Sequence, residues 1–224
     1  MTEAVAIDGF VASGKSTVSR ALAQRLNYLY LDTGAMYRAV AFLALCNGVG
    51  VDQESSLAEL FVAHRLTVEA RDGGALGYVV LIDGDDVTER LFNPDVTAAV
   101  SAVAALPAIR AALVVRQREM AREGPVVMAG RDIGTVVLPD ARYKFFLTAS
   151  LDERARRRRL EFHERGLEIP LELVKAQIEE RDRIDESRST APLRRAPDAI
   201  LIDSTGTSAE AVVDRMLAEI RNAA

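Results

Sequence analysis

The chain alternates short apolar runs with longer stretches whose apolar residues recur at helical spacing. The short runs are bounded by turn-forming residues, and we predict that they are buried strands. Alternation of such strands with helices is typical of right-handed βαβ units in a parallel sheet. The five predicted strands are Ala4 to Asp8, Tyr28 to Leu31, Val126 to Ala129, Tyr143 to Leu147 and Ile200 to Ile202.

The longer stretches predict helices, and the last two of these are strongly charged. Pro107 is expected to start or kink a segment within the third helical stretch. The fold class is therefore α/β, with helices on both faces of the sheet. The predicted helices are Lys15 to Leu26, Ala35 to Cys46, Val100 to Arg122, Leu151 to Arg165 and Leu171 to Asp185.

Ligands of parallel sheets bind at the carboxyl ends of the strands. We therefore expect the loops at Gly9, Asp32, Gly130 and Thr148 to lie along one edge of the sheet.

A different pattern begins at Leu66. Two alternating stretches, Leu66 to Ala70 and Tyr78 to Ile82, flank a turn at Asp72-Gly73-Gly74, and Asp83-Gly84 follows. This pattern predicts a small antiparallel hairpin inserted into the larger fold.

Composition narrows the class of protein. The chain has 224 residues, enough for one domain, and its net charge of -5 does not favour general binding to nucleic acid or to anionic membranes. We find no signal peptide or membrane-spanning run, and one cysteine, Cys46, excludes an internal disulfide. We interpret Cys46 as a core residue and predict a cytoplasmic protein, most simply a monomer.

The segment from Gly9 to Ser16 reads GFVASGKS and matches the phosphate-binding pattern G-x-x-x-x-G-K-[ST]. A predicted strand precedes it and a predicted helix follows, which is the context that the motif requires. Loop N–H groups and the helix N-terminus would surround the phosphates of ATP, Lys15 would contact the β- and γ-phosphates, and Ser16 would ligate Mg²⁺. The predicted ATP-binding residues are Gly9, Phe10, Val11, Ala12, Ser13, Gly14, Lys15, Ser16 and Thr17.

A phosphate loop alone does not distinguish a kinase from a nucleotide switch. The guanine-reading segment N-K-x-D of GTPases does not occur in this sequence. Arginines instead accumulate near the predicted strand ends and in the second half of the chain. Transfer of a phosphoryl group between two polyanions needs such fixed positive charge.

Further segments are similar to those of the bacterial cytidylate kinases, over nearly the whole chain. They are LDTGAMYR from Leu31 to Arg38, GRDIGTVV from Gly130 to Val137, and the run from Glu180 to Arg188. The resemblance implies a three-layer P-loop NTPase fold with a five-stranded parallel sheet and an inserted NMP-binding region with a small antiparallel sheet. It also implies an arginine-rich lid. The expected divisions of one kinase domain, 1–224, are a core of 1–37, 106–152 and 180–224, an NMP-binding region of 38–105 and a lid near 153–179.

The resemblance also implies roles for the residues that would bind CMP or dCMP. Thr33, Arg110 and Asp132 match residues beside the base, and a carboxylate suits the exocyclic amine of cytosine, which uracil lacks. The matches to residues that hold the acceptor phosphate are Arg38, Arg131 and Arg188, and those to residues that hold the sugar are Ser101, Arg181 and Asp185.

Four acidic or aromatic residues have more than one role that the sequence allows. The family commonly has an acid where this chain has Ala129, and Asp32 and Asp132 are the two acids that could serve in its place. Asp32 is as consistent with a helix N-cap as with the shell of a magnesium ion. Asp8 is read as a surface or structural acid, and Tyr37 as a packing residue.

The arginines from Arg154 to Arg159 are the largest cluster of charge. A solvated helix face and a nucleic-acid patch are alternatives, but a mobile lid that supplies charge to the transition state fits best, and Arg154 and Arg158 would share a helix face. The predicted catalytic residues are Lys15, Arg131, Arg157 and Arg158. The predicted reaction transfers the ATP γ-phosphoryl group to CMP or dCMP. The alternatives are another small acceptor, such as UMP, AMP or shikimate, and an NTP-dependent regulator.

Overall fold

A computed structural model describes residues 3–71, 76–164 and 166–222. Five parallel strands form the central sheet in the order β2-β6-β1-β7-β8. The predicted α/β class and the parallel sheet are confirmed. The strands are β1 (Ala4–Gly9), β2 (Leu29–Asp32), β6 (Val126–Gly130), β7 (Tyr143–Thr148) and β8 (Ile200–Asp203).

A second, antiparallel sheet follows the order β3-β4-β5 and corresponds to the predicted inserted hairpin. Its strands are β3 (Leu66–Ala70), β4 (Tyr78–Ile82) and β5 (Asp85–Asp86). The predicted turn at Asp72-Gly73-Gly74 lies outside the described residues.

The helices are α1 (Lys15–Leu26), α2 (Thr33–Cys46), α3 (Glu54–Ala63), α4 (Pro94–Ala105), α5 (Pro107–Glu123), α6 (Leu151–Glu164), α7 (Leu171–Ser187) and α8 (Ala209–Asn222). The break predicted at Pro107 separates α4 from α5, which meet at 94°. Leu106 has extended backbone between them, as expected for a residue before proline. A 3₁₀ turn, Glu89–Phe92, precedes α4, and a π-helical turn, Ile133–Val137, follows β6. The end predicted for α6, Arg165, lies outside the described residues.

The main core lies between the sheet and its helices. Ile7, Leu31, Met128, Phe145 and Leu147 are among its fully buried side chains. A second, small cluster lies between α6 and α7 and consists of Ala155, Val174 and Ile178. The two helices therefore have a hydrophobic contact of their own beside the main core.

Cys46 corrects one sequence interpretation, because it is exposed rather than part of the core. It is the last residue of α2, and residues 45–48 are all exposed. The buried face of this helix ends at Leu43 and Ala44. The apolar run therefore continues for two residues beyond the end of the buried face.

Among the described residues, no single helix has both the length and the apolar composition of a membrane span. The bent pair of helices α4 and α5 has this length and composition only when the two helices are counted together.

Candidate active site

One cavity of about 310 Å³ opens at the carboxyl ends of β1, β2 and β6. As predicted, the loops that follow these strands meet at one edge of the parallel sheet. The lining of this cavity includes most of the predicted site residues, namely Val11, Ala12, Gly14, Lys15, Ser16, Thr17, Thr33, Arg38, Arg110, Arg131, Asp132, Arg158, Arg181, Asp185 and Arg188.

Close packing against β7 fixes the start of the phosphate loop. A Cβ on Gly9 would lie 1.9 Å from the Leu147 carbonyl oxygen, so only glycine fits there. Within the loop, Ala12 has a φ of 56°, a left-handed conformation that is uncommon for a residue with a side chain. Gly14, with a φ of 89°, leads directly into α1. The loop thus directs the N-terminus of α1 towards the cavity, where an anion would be stabilised.

Lys15 is buried and turns back onto its own loop. Its Nζ donates to the Phe10 carbonyl at 2.5 Å and lies 3.4 Å from the Ser13 hydroxyl. Burial lowers the pKa of Lys15 well below its usual value, and the nearby Arg131 lowers it further. A bound polyanion would relieve both effects, so the site favours phosphate at this position.

Asp8 is buried at the end of β1 and holds the turn after β6. Its carboxylate accepts hydrogen bonds from the Ile133 and Gly134 amides at 2.8 and 2.7 Å. Burial nevertheless raises the pKa of Asp8 to about 6. The turn it holds begins just after Arg131 and Asp132, so Asp8 anchors the backbone that presents both. Of the two roles considered from the sequence, Asp8 is a buried structural acid and not a surface residue.

Arg110 and Asp132 form a buried ion pair, linking α5 to the segment after β6. The Arg110 guanidinium also donates to the Ala104 carbonyl at 3.1 Å and lies over the Tyr37 ring, 5.5 Å from its centroid. Burial raises the pKa of Tyr37 to about 12. Tyr37 both packs and lines the cavity, and it faces a buried pair whose charges balance.

Thr33 and Asp32 lie at the start of α2. The Thr33 hydroxyl donates to the Ala129 carbonyl at 2.9 Å. Asp32 is an N-cap, since its side chain accepts from the Gly34 amide at 2.9 Å, and it also lines the cavity. Burial raises the pKa of Asp32. The carboxylate of Asp32 and the exposed hydroxyl of Ser16 are oxygen donors of the kind that Mg²⁺ prefers.

Ala129 is paired in register with Asp32, across the β2–β6 ladder. Its side chain is buried. Next to it, a Cβ on Gly130 would lie 2.6 Å from the Thr33 hydroxyl. A small residue and a glycine thus allow α2 to begin close against β6.

A cluster of arginines surrounds Asp185. Arg131 pairs with it at 2.9 Å, and Arg188 lies 3.9 Å away. Burial alone would raise the pKa of Asp185, but these arginines together with Arg181 lower it. The pKa of Arg181 is lowered by burial and then by Arg131. This end of the cavity therefore holds more positive charge than its acids balance.

Arg38 approaches the same end of the cavity from α2. It donates to the Leu91 carbonyl at 3.2 Å and to the Thr97 hydroxyl at 2.8 Å, and it lies 5.3 Å from the centroid of the Phe92 ring. Phe92 also lines the cavity, although the sequence had not singled it out.

The arginines of α6 point in different directions. Arg158 lines the central cavity and pairs with Glu161 at 2.7 Å. Arg157 instead reaches behind the phosphate loop, where it donates to the Ser13 carbonyl at 3.2 Å and to the Ser204 carbonyl at 2.7 Å. Arg154 is buried and Arg156 is exposed. Arg156 and Arg157 both pair with Glu153, so the four arginines divide among a buried position, the back of the phosphate loop and the central cavity.

Arg157 lines a second cavity, of about 210 Å³, which opens on the other side of the phosphate loop. Gly14 and Thr17 border both cavities. Among the predicted substrate residues, Ser101 lies on α4 beside Val100 and Ala104, which line the central cavity while Ser101 does not. The sequence also missed Glu161 as a lining residue; its position three residues after Arg158 on α6 was the available signal.

Comparison with known proteins extends over almost all of the chain. The family model described as cytidylate kinase matches residues 5–222. A cytidylate kinase of Geobacillus kaustophilus (strain HTA426) is 50% identical over 213 residues, which cover 95% of this chain and 94% of that protein. A bifunctional pantoate ligase/cytidylate kinase of Synechococcus sp. (strain JA-2-3B'a(2-13)) is 48% identical over 213 residues, but this chain spans only 39% of its length.

Among solved structures, an uncharacterised protein from Eubacterium ventriosum ATCC 27560 superimposes with a TM-score of 0.54 at 12% identity, covering 97% of this chain and 98% of that one. This likeness concerns the fold alone. The sequence matches, in contrast, include every element that lines the central cavity.

Proposed function

The chain belongs to the cytidylate kinase family, and we propose that its central cavity holds the acceptor base at one end and the phosphates of both substrates at the other. The protein is a nucleoside monophosphate kinase, a phosphotransferase that uses ATP as co-substrate and CMP as acceptor. The predicted family, activity and P-loop kinase fold are thus confirmed, and the alternatives of a regulator and of a shikimate-like acceptor are not supported.

The buried pair of Arg110 and Asp132 is the observation that carries the assignment of the base end. Asp132 would accept a hydrogen bond from the exocyclic amine of cytosine, whereas the uracil oxygen at this position would meet a second acceptor. Arg110 pairs with this carboxylate and orients it, and Thr33 lies at the adjoining end of α2. A carboxylate held in this way recognises a donor more sharply than a hydroxyl would, because it can only accept and a wrong partner leaves a buried acceptor oxygen without a hydrogen bond.

The phosphate of CMP or dCMP would lie among Arg38, Arg131 and Arg188. Asp185 would hold the sugar together with Arg181, and Ser101 would contribute from α4 as the helix adjusts around the ligand. Arginine suits this position because its planar fork binds two phosphate oxygens at once. The excess positive charge at this end supports the assignment.

ATP would bind at the phosphate loop. The residues from Gly9 to Thr17 would surround its phosphates, with Lys15 exchanging the Phe10 carbonyl for phosphate oxygens. Arg158 and Arg131 would balance charge on the phosphoryl group as it moves between the substrates. Arg157 would act from the second cavity, where its position behind the loop supports a contact with the ATP side rather than with the acceptor.

Magnesium fits the same site. Ser16 would be a direct ligand, and Asp32 would hold metal-bound water. When bound, Mg²⁺ would neutralise charge on the substrate phosphates. No group of three or more acidic, histidine or cysteine side chains that could hold a metal occurs in the ranges 3–71, 76–164 and 166–222. A metal held mainly by the nucleotide phosphates and water is consistent with this donor set.

We also propose that the kinase is a cytoplasmic monomer without nucleic-acid partners. Its substrates are small nucleotides, and its net charge of -5 does not favour binding to nucleic acid. Sedimentation at micromolar concentration, with and without ATP and CMP, tests the monomer; a dimer that alone is active would overturn it.

The test of the function measures ADP formation with ATP and Mg²⁺ in parallel with CMP, dCMP, UMP, AMP, GMP and no acceptor. Fast turnover with CMP and dCMP, slower turnover with UMP and near background with the others are expected. Preference for a purine monophosphate would overturn the assignment of Asp132 and Arg110. Equal slow hydrolysis with every acceptor and with none would overturn the proposed kinase site.

A further inference from the structure

The tip of the phosphate loop packs against a part of the protein outside the main core. Val11 and Ala12 lie against the small cluster of Ala155, Val174 and Ile178 between α6 and α7. The segment that would surround ATP thus shares its hydrophobic contact with two helices from the second half of the chain.

Polar contacts join the same three segments. The carboxylate of Asp182, on α7, accepts from the Val11 amide at 3.4 Å and from the Arg154 guanidinium at 2.5 Å. Arg154, on α6, also donates to the Val11 carbonyl at 3.3 Å and to the Ala149 carbonyl at 3.1 Å. Both polar groups of Val11 are therefore held by one buried ion pair.

Two other ion pairs on the same helices are quite different. Arg156 pairs with Glu153, and Arg183 with Glu180, but in each case the arginine side chain is about two-thirds exposed. In Arg154 and Asp182 the exposed fractions are only 10% and 11%. A buried ion pair adds little net stability, because desolvation offsets the attraction between the charges. A contribution to net stability therefore does not account for the buried pair of Arg154 and Asp182. Its contacts with the Val11 backbone point to a different role.

The backbone of the phosphate loop is strained next to Val11. Ala12 follows Val11 and has the left-handed φ of 56°, which is strained for a residue with a β-carbon. Such a conformation persists only where the surroundings determine it. The direction of the loop N–H groups depends on this backbone, and those groups are the ones that would face phosphate.

We propose that Arg154 and Asp182 are positioning residues that couple α6 and α7 to the phosphate loop. This inference rests on the proposed function, in which that loop binds ATP. The pair fixes the Val11 peptide from both sides, so any shift of the two helices changes the shape of the loop and the strength of its contacts with ATP. The acceptor residues Arg181 and Asp185 also lie on α7, but neither side chain belongs to this ion pair, so the acceptor end is affected only weakly.

The test compares the double variant Arg154→Met/Asp182→Leu with Asp182→Asn and with the matched control Arg183→Gln. The double variant removes both charges together, so it avoids a lone buried charge and is expected to fold. Asp182→Asn keeps the oxygen that accepts from Val11. Arg183→Gln removes an exposed pair one residue away on α7. KM for ATP, KM for CMP, kcat and the melting temperature are measured for each.

The double variant is expected to raise KM for ATP about tenfold or more, as expected for lost hydrogen bonds to charged groups. KM for CMP is expected to stay within about twofold of the wild type, because the acceptor would not contact this loop. Asp182→Asn should lie between the double variant and the wild type, and Arg183→Gln should match the wild type. A folded double variant with the wild-type KM for ATP would overturn the proposal, as would an equal rise in both KM values.

A second measurement needs no activity. Amide hydrogen exchange at Val11, in the protein without nucleotide, reports the hydrogen bond to Asp182 directly. Exchange at Val11 should be faster in the double variant and unchanged in Arg183→Gln; unchanged exchange in the double variant would also overturn the proposal. If the wild type instead failed to phosphorylate CMP, the proposed function would fail while the exchange result still tested the coupling.

Discussion

The two ends of the central cavity hold charge in different ways. At the base end, Arg110 and Asp132 are buried against each other and their charges cancel. The rest of the lining contains six basic and three acidic side chains, namely Lys15, Arg38, Arg131, Arg158, Arg181 and Arg188 against Asp32, Glu161 and Asp185. A balanced pair suits a neutral base that must be read by hydrogen bonds, whereas a surplus of cations suits two phosphorylated substrates.

This difference predicts two kinds of mutational effect. Changes at the phosphate end should lower activity with every acceptor, and changes at the base end should alter the choice between acceptors. Asp8 is a special case, because it holds the turn that presents Arg131 to one end and Asp132 to the other.

Lys15→Met should have the largest effect. It removes the buried cation of the phosphate loop but keeps an apolar chain of similar length, so the fold should be retained. Loss of such an electrostatic contact is expected to lower kcat by about 10²–10³. Steady-state rates with CMP, dCMP and UMP check it, and all three should fall by the same factor. A fall with one acceptor only would break the distinction between the two ends.

Asp8 predicts a pH dependence of stability. Its pKa is raised in the folded protein, to about 6, so the folded state binds a proton that the unfolded state has already lost. Its contribution to stability is therefore present below the unfolded pKa and is lost as the pH rises through the folded pKa. Between pH 4 and pH 7 the free energy of unfolding should fall by about 2 kcal/mol in the wild type relative to Asp8→Asn.

Urea unfolding of both proteins across this pH range measures the difference. Because the other titrating groups are common to both proteins, their contributions cancel in the comparison. A difference that is constant with pH, or that changes in the opposite direction, would show that Asp8 is not titrating as a buried acid.

Arg181 and Arg183 offer a matched pair on α7. Arg181 lines the cavity, whereas Arg183 is exposed and paired with Glu180. Arg181→Gln should raise KM for CMP about tenfold, the usual scale for a lost hydrogen bond from a charged group. Arg183→Gln should leave it unchanged. Similar values of KM in the two variants would place the acceptor away from this helix.

Thr33→Val should have the smallest effect. It keeps the shape of the side chain but removes the hydroxyl that donates to the Ala129 carbonyl. The free energy of unfolding should fall by about 1 kcal/mol, and Thr33→Ser should recover most of it. Thermal unfolding of the three proteins checks this; equal losses in both variants would mean that the methyl group, rather than the hydroxyl, matters.

The sequence predicted what depends on local pattern. The parallel strands, the phosphate loop and the break before Pro107 follow from residues adjacent in the chain. Helix α8 was missed although Val212, Val213, Met216 and Leu217 show helical spacing and are buried. The exposure of Cys46 could not be read from its apolar neighbours, because it depends on where the packing around α2 ends.

Contacts between residues far apart in the chain could not be predicted from the local pattern of the sequence. Asp8 meets amides that are 125 and 126 residues away, and Arg154 meets Asp182 across 28 residues. On α6, Arg158 lines the central cavity, whereas the residue before it, Arg157, lines the second cavity behind the phosphate loop. Helical spacing gives relative directions of side chains, but only the packed structure fixes which neighbours those directions meet.

The claim that the balanced pair reads the base is tested most directly by Asp132→Asn. The measurement is the ratio of kcat/KM for CMP to that for UMP, in this variant and in the wild type under the same conditions. Asparagine presents both an acceptor and a donor, so the ratio should fall by about ten- to hundredfold, chiefly through lost activity with CMP. An unchanged ratio, with both acceptors slowed equally, would contradict the account and assign Asp132 to structure alone.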